Sequence, residues 1–485
     1  MTKHDMIMIG NSLKEDAICG DEMERYKSII PNWGEFLKAI QRPMPHTLRV
    51  NTLKISPDDL RRRLEEKGLK VEVAPWCPYF FTVRGTKSIG LLFEYWQGYY
   101  YPQEASSMAA PLALDPQPGQ RILDMCAAPG GKASHLAEMM RNTGTLIAND
   151  LDFKRLRALS GNLNRLGVTN TIICNYNGIT LPEKTLFDKV LLDAPCSAEG
   201  NARRSPFLRG GANLTYIRRI SSFQKNAILK AIDLTKIGGV IVYSTCTFAP
   251  EENEMVIQHA LENRPVRLEP IDIDIPHLTG LSEWEGRRFH PDMELCIRIY
   301  PHLLDSGGAF VAKLRKLDDL RGKKDRIDEM EHPSDPADDV VGYYRDRFGV
   351  DPSAFEGMSF IRRSDYMWMT TADLRMLEIF RTSGFGLRIA GLMRGGRIRP
   401  TDWGLVYLGD RIRKSRVELP IEVLRSVLLS GGAKVEASAE NGYVALCFRD
   451  EVIGNGLMAG GHVKCKMQAS HRNGLYESLR MEGIL

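Results

Sequence analysis

The chain has 485 residues and a formal net charge of +4; 43% of its residues are hydrophobic and 26% charged. That length exceeds one ordinary core and predicts two to four domains, and the composition excludes a wholly disordered or fibrous protein. The charge is only mildly basic, so it permits a nucleic-acid partner without arguing for one.

Nine cysteines are present and none forms a Cys-x-x-Cys pair. This argues against a disulfide framework or a zinc knuckle, predicts no bound metal and fits a reducing cytoplasm. The start of the sequence does not read as a signal peptide, and no apolar run is long enough to span a bilayer, so no membrane partner is expected. Basic groups such as Arg61-Arg62-Arg63, Arg203-Arg204, Arg394/Arg397/Arg399 and Arg411/Arg413/Lys414/Arg416 are able to neutralise phosphates, although a solvated face is the default for each.

Along the chain, Glu22 to Ile30 and Trp33 to Ile40 read as helical pieces broken at Pro31. Thr47-Leu-Arg-Val-Asn-Thr-Leu53 reads as a strand. Ser56-Pro57-Asp58-Asp59 starts a helix with a capping serine, proline at the first helical position and acids in the first turn. Strand Leu69 to Ala74 and the aromatic stretch Trp76 to Val83 complete a β-α-β pattern. Residues 1–100 are therefore expected to form a small α+β module of ferredoxin-like or RRM-like type. Trp76, Tyr79, Phe80 and Phe81 are able to stack bases, but core and interface positions are the expectation for them.

Tyr101 to Ala110 is rich in Ser and Ala and predicts a closely packed helix opening the main domain, residues 101–317. Strands and helices then alternate. Strands are expected at Arg121–Met125, Leu146–Asn149, Thr171–Cys174, Lys189–Asp193 and Val240–Ser244. Helices are expected at Ala133–Met140, Phe153–Leu166, Ser221–Lys236 and Glu251–Asn263. Leu295–Tyr300 and Ala309–Leu314 form a closing strand pair. Such alternation predicts an α/β fold with a Rossmann-like parallel sheet.

Residues 318–339 carry nine acids, four bases, Pro333 and Pro336, and 318–345 reads as a charged linker. Beyond it, Trp368–Thr370, Gly404–Gly409, Gly442–Cys447 and Val452–Met458 read as short strands with glycine turns. Residues 346–485 are thus expected to be a mixed or β-rich domain.

Three stretches carry chemistry. Asp124-Met-Cys-Ala-Ala-Pro-Gly-Gly-Lys132 lies between the first strand of the main sheet and its helix, where glycines and a helix N-terminus suit a carboxylate or phosphate. It fits neither G-x-G-x-x-G nor the P-loop pattern. Asp150 ends the next strand, where an acid grips ribose hydroxyls; Asp152 is better used as the cap of the helix at Phe153. S-adenosylmethionine carries both a ribose and an amino-acid carboxylate and fits both features.

The other two stretches are Asp193-Ala-Pro-Cys-Ser197 and Tyr243-Ser-Thr-Cys-Thr247. Ligands of such sheets sit at the carboxyl ends of the strands, so Asp193, Cys196 and Cys246 meet in one crevice. The default for Cys19, Cys77, Cys174, Cys296, Cys447 and Cys465 is a small buried hydrophobe. Cys196 and Cys246 differ because each follows a strand end among Pro, Ser and Thr. A thiolate there can add to carbon 6 of a pyrimidine, making carbon 5 a methyl acceptor. Asp193 is suited to hold the ring nitrogen and exocyclic amine. The residues do not say which thiol attacks.

Cys126-Ala-Ala-Pro-Gly-Gly-Lys132, Asp193-Ala-Pro-Cys-Ser197 and Ser244-Thr-Cys-Thr247, with Leu48-Arg-Val-Asn-Thr-Leu53 and Gln103-Glu-Ala-Ser-Ser107 before them, resemble the RNA cytosine-C5 methyltransferase family of Sun/Fmu type, which includes RsmB and RsmF. The resemblance implies a methyltransferase fold with S-adenosylmethionine, acting on structured tRNA or rRNA. It implies Cys246 as nucleophile and Cys196 as the residue assisting breakdown of the adduct. Cofactor contacts then fall on Cys126, Ala127, Ala128, Pro129, Gly130, Gly131, Lys132, Asp150 and Asp193. One departure is Asn177-Gly178, where the family usually has Asp-Gly; asparagine still offers a carbonyl oxygen to an adenine amine. Ile453 to Val463 is similar to the closing segment of a PUA-like RNA-binding domain, the arrangement of RsmF-type members. A monomer is expected. The alternatives are a uracil-C5 methyltransferase and a non-catalytic RNA-binding assembly factor.

Overall fold

The computed structural model describes residues 22–320, 322, 325, 327, 332, 334–436 and 440–485; Cys19 and most of the acidic stretch lie outside the described residues. The first unit is a four-stranded antiparallel sheet of β1 (His46–Val50), β2 (Lys70–Ala74), β3 (Cys77–Arg84) and β4 (Tyr100–Pro102), in the order β2-β3-β1-β4. One helix, Pro57–Glu66, packs against it through Leu60 and Leu64, both fully buried. Its start is as expected: Pro57 is at N1 and the Ser56 side chain accepts the Asp59 amide at 3.1 Å. The strand order is that of the expected ferredoxin-like module. Phe80 and Phe81 are 1% exposed, so they are core residues. The Arg61-Arg62-Arg63 run is largely paired, with Glu65, Asp59, Glu94 and Glu451.

The main sheet contains the five parallel strands β5 (Arg121–Asp124), β6 (Thr145–Asn149), β7 (Thr171–Cys174), β8 (Phe187–Asp193) and β9 (Thr235–Thr245). They lie in the order β9-β8-β5-β6-β7. Strand Ala309–Lys316 pairs antiparallel with β9, and Ile297–Ile299 with that strand in turn. This is the expected Rossmann-like architecture. The order reverses at β5, so the loops after β5, β8 and β9 open on one crevice. Apolar runs such as Leu146-Ile147-Ala148, all unexposed, reflect a sheet covered on both faces.

Arg49 of β1 ties the first unit to the main sheet. Fully buried, it forks onto Glu138 with two bonds of 3.0 Å and also donates to Ser134 Oγ and the Gly131 carbonyl, each at 2.8 Å. All three partners sit on helix Gly131–Met139, whose N-terminus is the 126–131 loop.

The C-terminal part is β-rich, with a four-stranded and a five-stranded sheet. Two expectations fail there. Gly404–Gly409 is not a strand: Asp402–Leu408 is a helix, capped by the Thr401 hydroxyl on the Gly404 amide at 3.0 Å. A short apolar run is compatible with either element, and the cap decides it. Gly404 is needed because a Cβ would lie 2.9 Å from the Ile389 carbonyl oxygen. Nor does everything beyond residue 346 stand apart, since strand Thr382–Phe385 pairs with β7 and extends the main sheet, while Trp368, Leu374 and Phe380 join its core. Helix Asp338–Phe348 begins inside the expected linker.

The last helix, Ala469–Met481, returns to the first unit. His471 stacks between Trp403 and Trp96, at ring separations of 4.3 and 5.9 Å. Glu482 accepts the Phe93 amide at 2.6 Å and pairs with Lys67 at 2.8 Å.

Candidate active site

A cavity of about 360 Å³ opens at the carboxyl ends of β5, β8 and β9. Its wall includes Cys126, Ala127, Ala128, Pro129, Gly131 and Lys132 from the β5 loop, Asp193 from β8, and Ser244 and Cys246 from β9. The register explains the convergence: Asp193 lies opposite Ser244 in the parallel β8–β9 pair.

The two thiols meet. Cys246 Sγ lies 3.2 Å from Cys196 Sγ, and the Cys246 amide donates to Cys196 Sγ at 3.3 Å. The hydrogen bond with Cys246, then burial, pushes the Cys196 thiol up. Cys246 lines the cavity and Cys196 sits behind it. Asn201 donates to Cys246 Sγ at 3.4 Å. The Cys246 carbonyl accepts the Gly200 amide at 2.8 Å. A side chain at Gly200 would place its Cβ 2.4 Å from the Gly308 carbonyl oxygen and 2.9 Å from that of Cys246.

Asp193 is held from two sides, by Lys132 Nζ at 2.8 Å and Ser244 Oγ at 2.7 Å. Burial alone would lower Lys132, but the charge and hydrogen bond of Asp193 raise it. Beneath the thiols Glu252 Oε2 accepts the Ser197 amide at 3.0 Å and the Gln224 amide group at 2.9 Å. Burial pushes Glu252 up to about 8. Burial, then the charge of Asp193, pushes Asp124 to about 8 as well. A proton-linked chain continues below: Ser197 Oγ meets Thr247 Oγ1 at 2.7 Å, and Thr247 donates to Glu199 at 2.8 Å.

Four expected site residues lie off the cavity wall. Cys196 is one. Gly130 supplies a left-handed turn, φ 113°, packed on Leu159. Asp150 is turned to the backbone: its oxygens accept the Ala128 amide at 3.2 Å and the Asp152 amide at 2.9 Å. It shapes the loop instead of facing the cavity, and burial raises it above the usual carboxylate range. Asp152 caps its helix as expected. Asn177 likewise uses its side-chain oxygen locally, on the Ile179 amide at 3.3 Å. Arg155 and Asn201 on the wall were not expected, and nothing local in the sequence marks them; Arg204 was noted only as part of a basic pair, and it reaches this wall beside Glu104, its ion-pair partner at 2.5 Å.

The residues present fit the amino-acid end of S-adenosylmethionine. Helix Gly131–Met139 points unpaired backbone N–H groups at the cavity beside Lys132, a setting for a carboxylate, and Asp193 offers an acceptor for an ammonium group. Gly131 is tight there, since a Cβ would meet Tyr101 at 3.0 Å. Among the described residues no group of three or more His, Cys, Asp or Glu is arranged to hold a metal ion, and no helix is long and apolar enough to cross a membrane.

Comparison with known proteins is consistent with this geometry. A family model described as 16S rRNA methyltransferase RsmB/F matches residues 111–315, and one for the N-terminal domain of 16S rRNA methyltransferase RsmF matches residues 21–105. Ribosomal RNA small subunit methyltransferase F of Aeromonas salmonicida is 31% identical over 450 residues, covering 89% of this chain and 91% of that protein. The chain belongs to the RsmB/RsmF methyltransferase family. Another relative in this family is a 28S rRNA (cytosine-C(5))-methyltransferase of Mus musculus, 44% identical over 289 residues. That match covers 58% of this chain and 36% of the mouse protein, and the chain spans only about a third to a half of the first eukaryotic relatives it matches. A solved methyltransferase homologue from Pyrococcus horikoshii is 40% identical with a TM-score of 0.55, covering 61% of this chain and 94% of its own. The structure of NSun6 from the same organism with SFG is 28% identical, TM-score 0.55, covering 62% and 98%.

Proposed function

We propose that this chain is an S-adenosylmethionine-dependent RNA (cytosine-5-)-methyltransferase acting on ribosomal RNA through a covalent cysteine–cytosine adduct. The observation that carries the reading is the pair of thiols 3.2 Å apart beside Asp193 in a cavity bordered by the 126–132 loop. The rRNA substrate rests on the small-subunit enzymes matched over nine tenths of their length.

When bound, S-adenosylmethionine supplies an electrophilic methyl group. The chain's own residues do the rest. Cys246, exposed to the cavity, is the nucleophile: its S–H proton leaves to solvent and its sulfur bonds carbon 6 of a cytosine turned out of its stack. Negative charge then spreads over the ring; Asp193, fixed by Lys132 and Ser244, accepts from the exocyclic amine, and the Lys132 ammonium beside it offsets the charge at the ring nitrogen. Carbon 5 bonds the methyl group. Cys196, after giving up its own proton to solvent, takes the proton from carbon 5; the ring double bond re-forms and the electrons of the sulfur–carbon bond return to Cys246. The asymmetry of the thiols supports these roles, because a raised Cys196 keeps its proton at rest while Cys246 faces the cavity. Cys126 to Lys132 form the cofactor cradle, with Asp150 and Asn177 bracing its floor. The unit around residues 22–105 and the C-terminal β-rich part, read as PUA-like, hold the RNA. The enzyme works in the cytoplasm as a monomer.

Transfer of labelled methyl from S-adenosylmethionine to bulk RNA tests the reading. Transfer by wild type with recovery of 5-methylcytosine is expected. Label recovered in 5-methyluracil, or no transfer at all, would overturn it.

A further inference from the structure

A second cavity of about 500 Å³ lies between helix Phe153–Leu166 and the C-terminal sheets. It plays no part in the chemistry above. Four cations line it: Arg157, Arg388, Arg399 and Lys466. All four are exposed, and none forms an ion pair among the described residues. Asp402 is the one carboxylate on this wall among the described residues; it is 5% exposed and bonded to the Gln468 amide at 2.8 Å.

Flat groups accompany the charges. Phe153 is 57% exposed, an unusual place for a large apolar ring, with Arg157 lying 5.6 Å over it. Arg388 lies 4.9 Å over Tyr366 and 4.6 Å over Trp368. Guanidinium groups without ion-pair partners beside the exposed Phe153 ring and the half-buried Tyr366 ring suit phosphates and unstacked bases.

The helix links this cleft to the reaction site. Phe153, Arg157, Ser160 and Asn164 share one face at helical spacing and line the cleft. Arg155, on the opposite face, lines the active cavity.

We propose that this cleft is a second RNA contact, holding a single-stranded stretch of the substrate by its phosphates and bases while another nucleotide occupies the cavity at Cys246. The proposal rests on the RNA reading given above and names a site for it outside the catalytic domain's own crevice.

The test uses the full chain, a fluorescein-labelled oligouridylate and a salt titration. R399E/K466E should weaken binding about tenfold and reduce the salt slope by about 1.4, from two lost single-strand phosphate contacts. Arg157→Glu, on the helix side, should act in the same direction, and Phe153→Ala should weaken binding with the slope unchanged. In methyl transfer to bulk RNA, R399E/K466E should raise KM and leave kcat as in wild type. Unchanged affinity and slope in both charge-reversal variants, each folded by circular dichroism, would overturn the cleft. The two readings separate: wild type that transfers methyl while the variants bind normally keeps the activity and removes the cleft. Wild type that transfers none while the variants lose oligouridylate keeps the cleft and removes the activity.

Discussion

Cys196 Sγ and Cys246 Sγ lie 3.2 Å apart, although fifty residues separate them in the chain. The pair is unequal, because only Cys246 reaches the cavity wall. Cys246→Ala should therefore abolish methyl transfer. Cys196→Ala should retain attack and fail in release, accumulating a protein–RNA adduct visible as a gel shift. With Cys196 held up by its partner and by burial, release by wild type should accelerate as pH rises from neutrality, and the standing adduct should diminish. Adduct in Cys246→Ala, or none in Cys196→Ala, reverses or removes the assignment.

Lys132 bridges the cofactor loop and Asp193. Lys132→Met removes a charge-assisted hydrogen bond inside the cavity, an interaction worth about 1.5–3 kcal/mol. A loss of roughly 10- to 100-fold in kcat/KM is expected. Calorimetric titration with S-adenosylmethionine should show weaker binding. Unaltered values in both measurements would place Lys132 outside the machinery.

Glu252 is raised from 4.5 to about 8 by burial. Between those values the folded chain holds a proton that the unfolded chain has released, so this group's contribution to stability is largest below 4.5 and declines up to 8. Glu252→Gln keeps the shape and removes the titration. Its melting temperature should exceed that of wild type at pH 9, and the gap should close toward pH 5. A gap independent of pH would mean that Glu252 does not titrate in this range.

Arg49 and Glu138 are both buried and joined by two 3.0 Å bonds. Arg49→Leu strands the carboxylate and should cost about 3–5 kcal/mol, whereas Arg49→Leu with Glu138→Leu should cost less than the single change. Denaturant unfolding of the two variants gives the comparison.

Gly474 faces Trp96 so closely that a Cβ would lie 1.9 Å from the indole. Gly474→Ala should displace helix Ala469–Met481, at about 1–3 kcal/mol of overpacking, and expose it to limited proteolysis. Pairing it with Trp96→Ala should recover part of the loss.

The main sheet was legible because its strands are apolar runs ended by polar motifs, and the two thiols were legible because each follows such a run. What escaped depends on distant partners. Asn201 gains meaning only through Cys246, and Arg204 only through Glu104. Asp150 and Asn177 were expected at the cofactor, yet their side chains are engaged by neighbouring amides, a choice that motif position does not encode. Strand Thr382–Phe385 is too short to announce which sheet it joins, and helix Asp402–Leu408 turns on one threonine cap.

The last helix also sets an order of assembly. The Phe93 amide and its Glu482 acceptor are 389 residues apart in the chain. At common rates of synthesis that is an interval on the order of 20–80 s. Throughout it the first-made sheet waits without its clasp, with Trp96 lacking its His471 stack and Lys67 left with Glu94 alone. A chain cut short anywhere in that interval leaves uncovered the Trp96 indole that the finished chain stacks on His471.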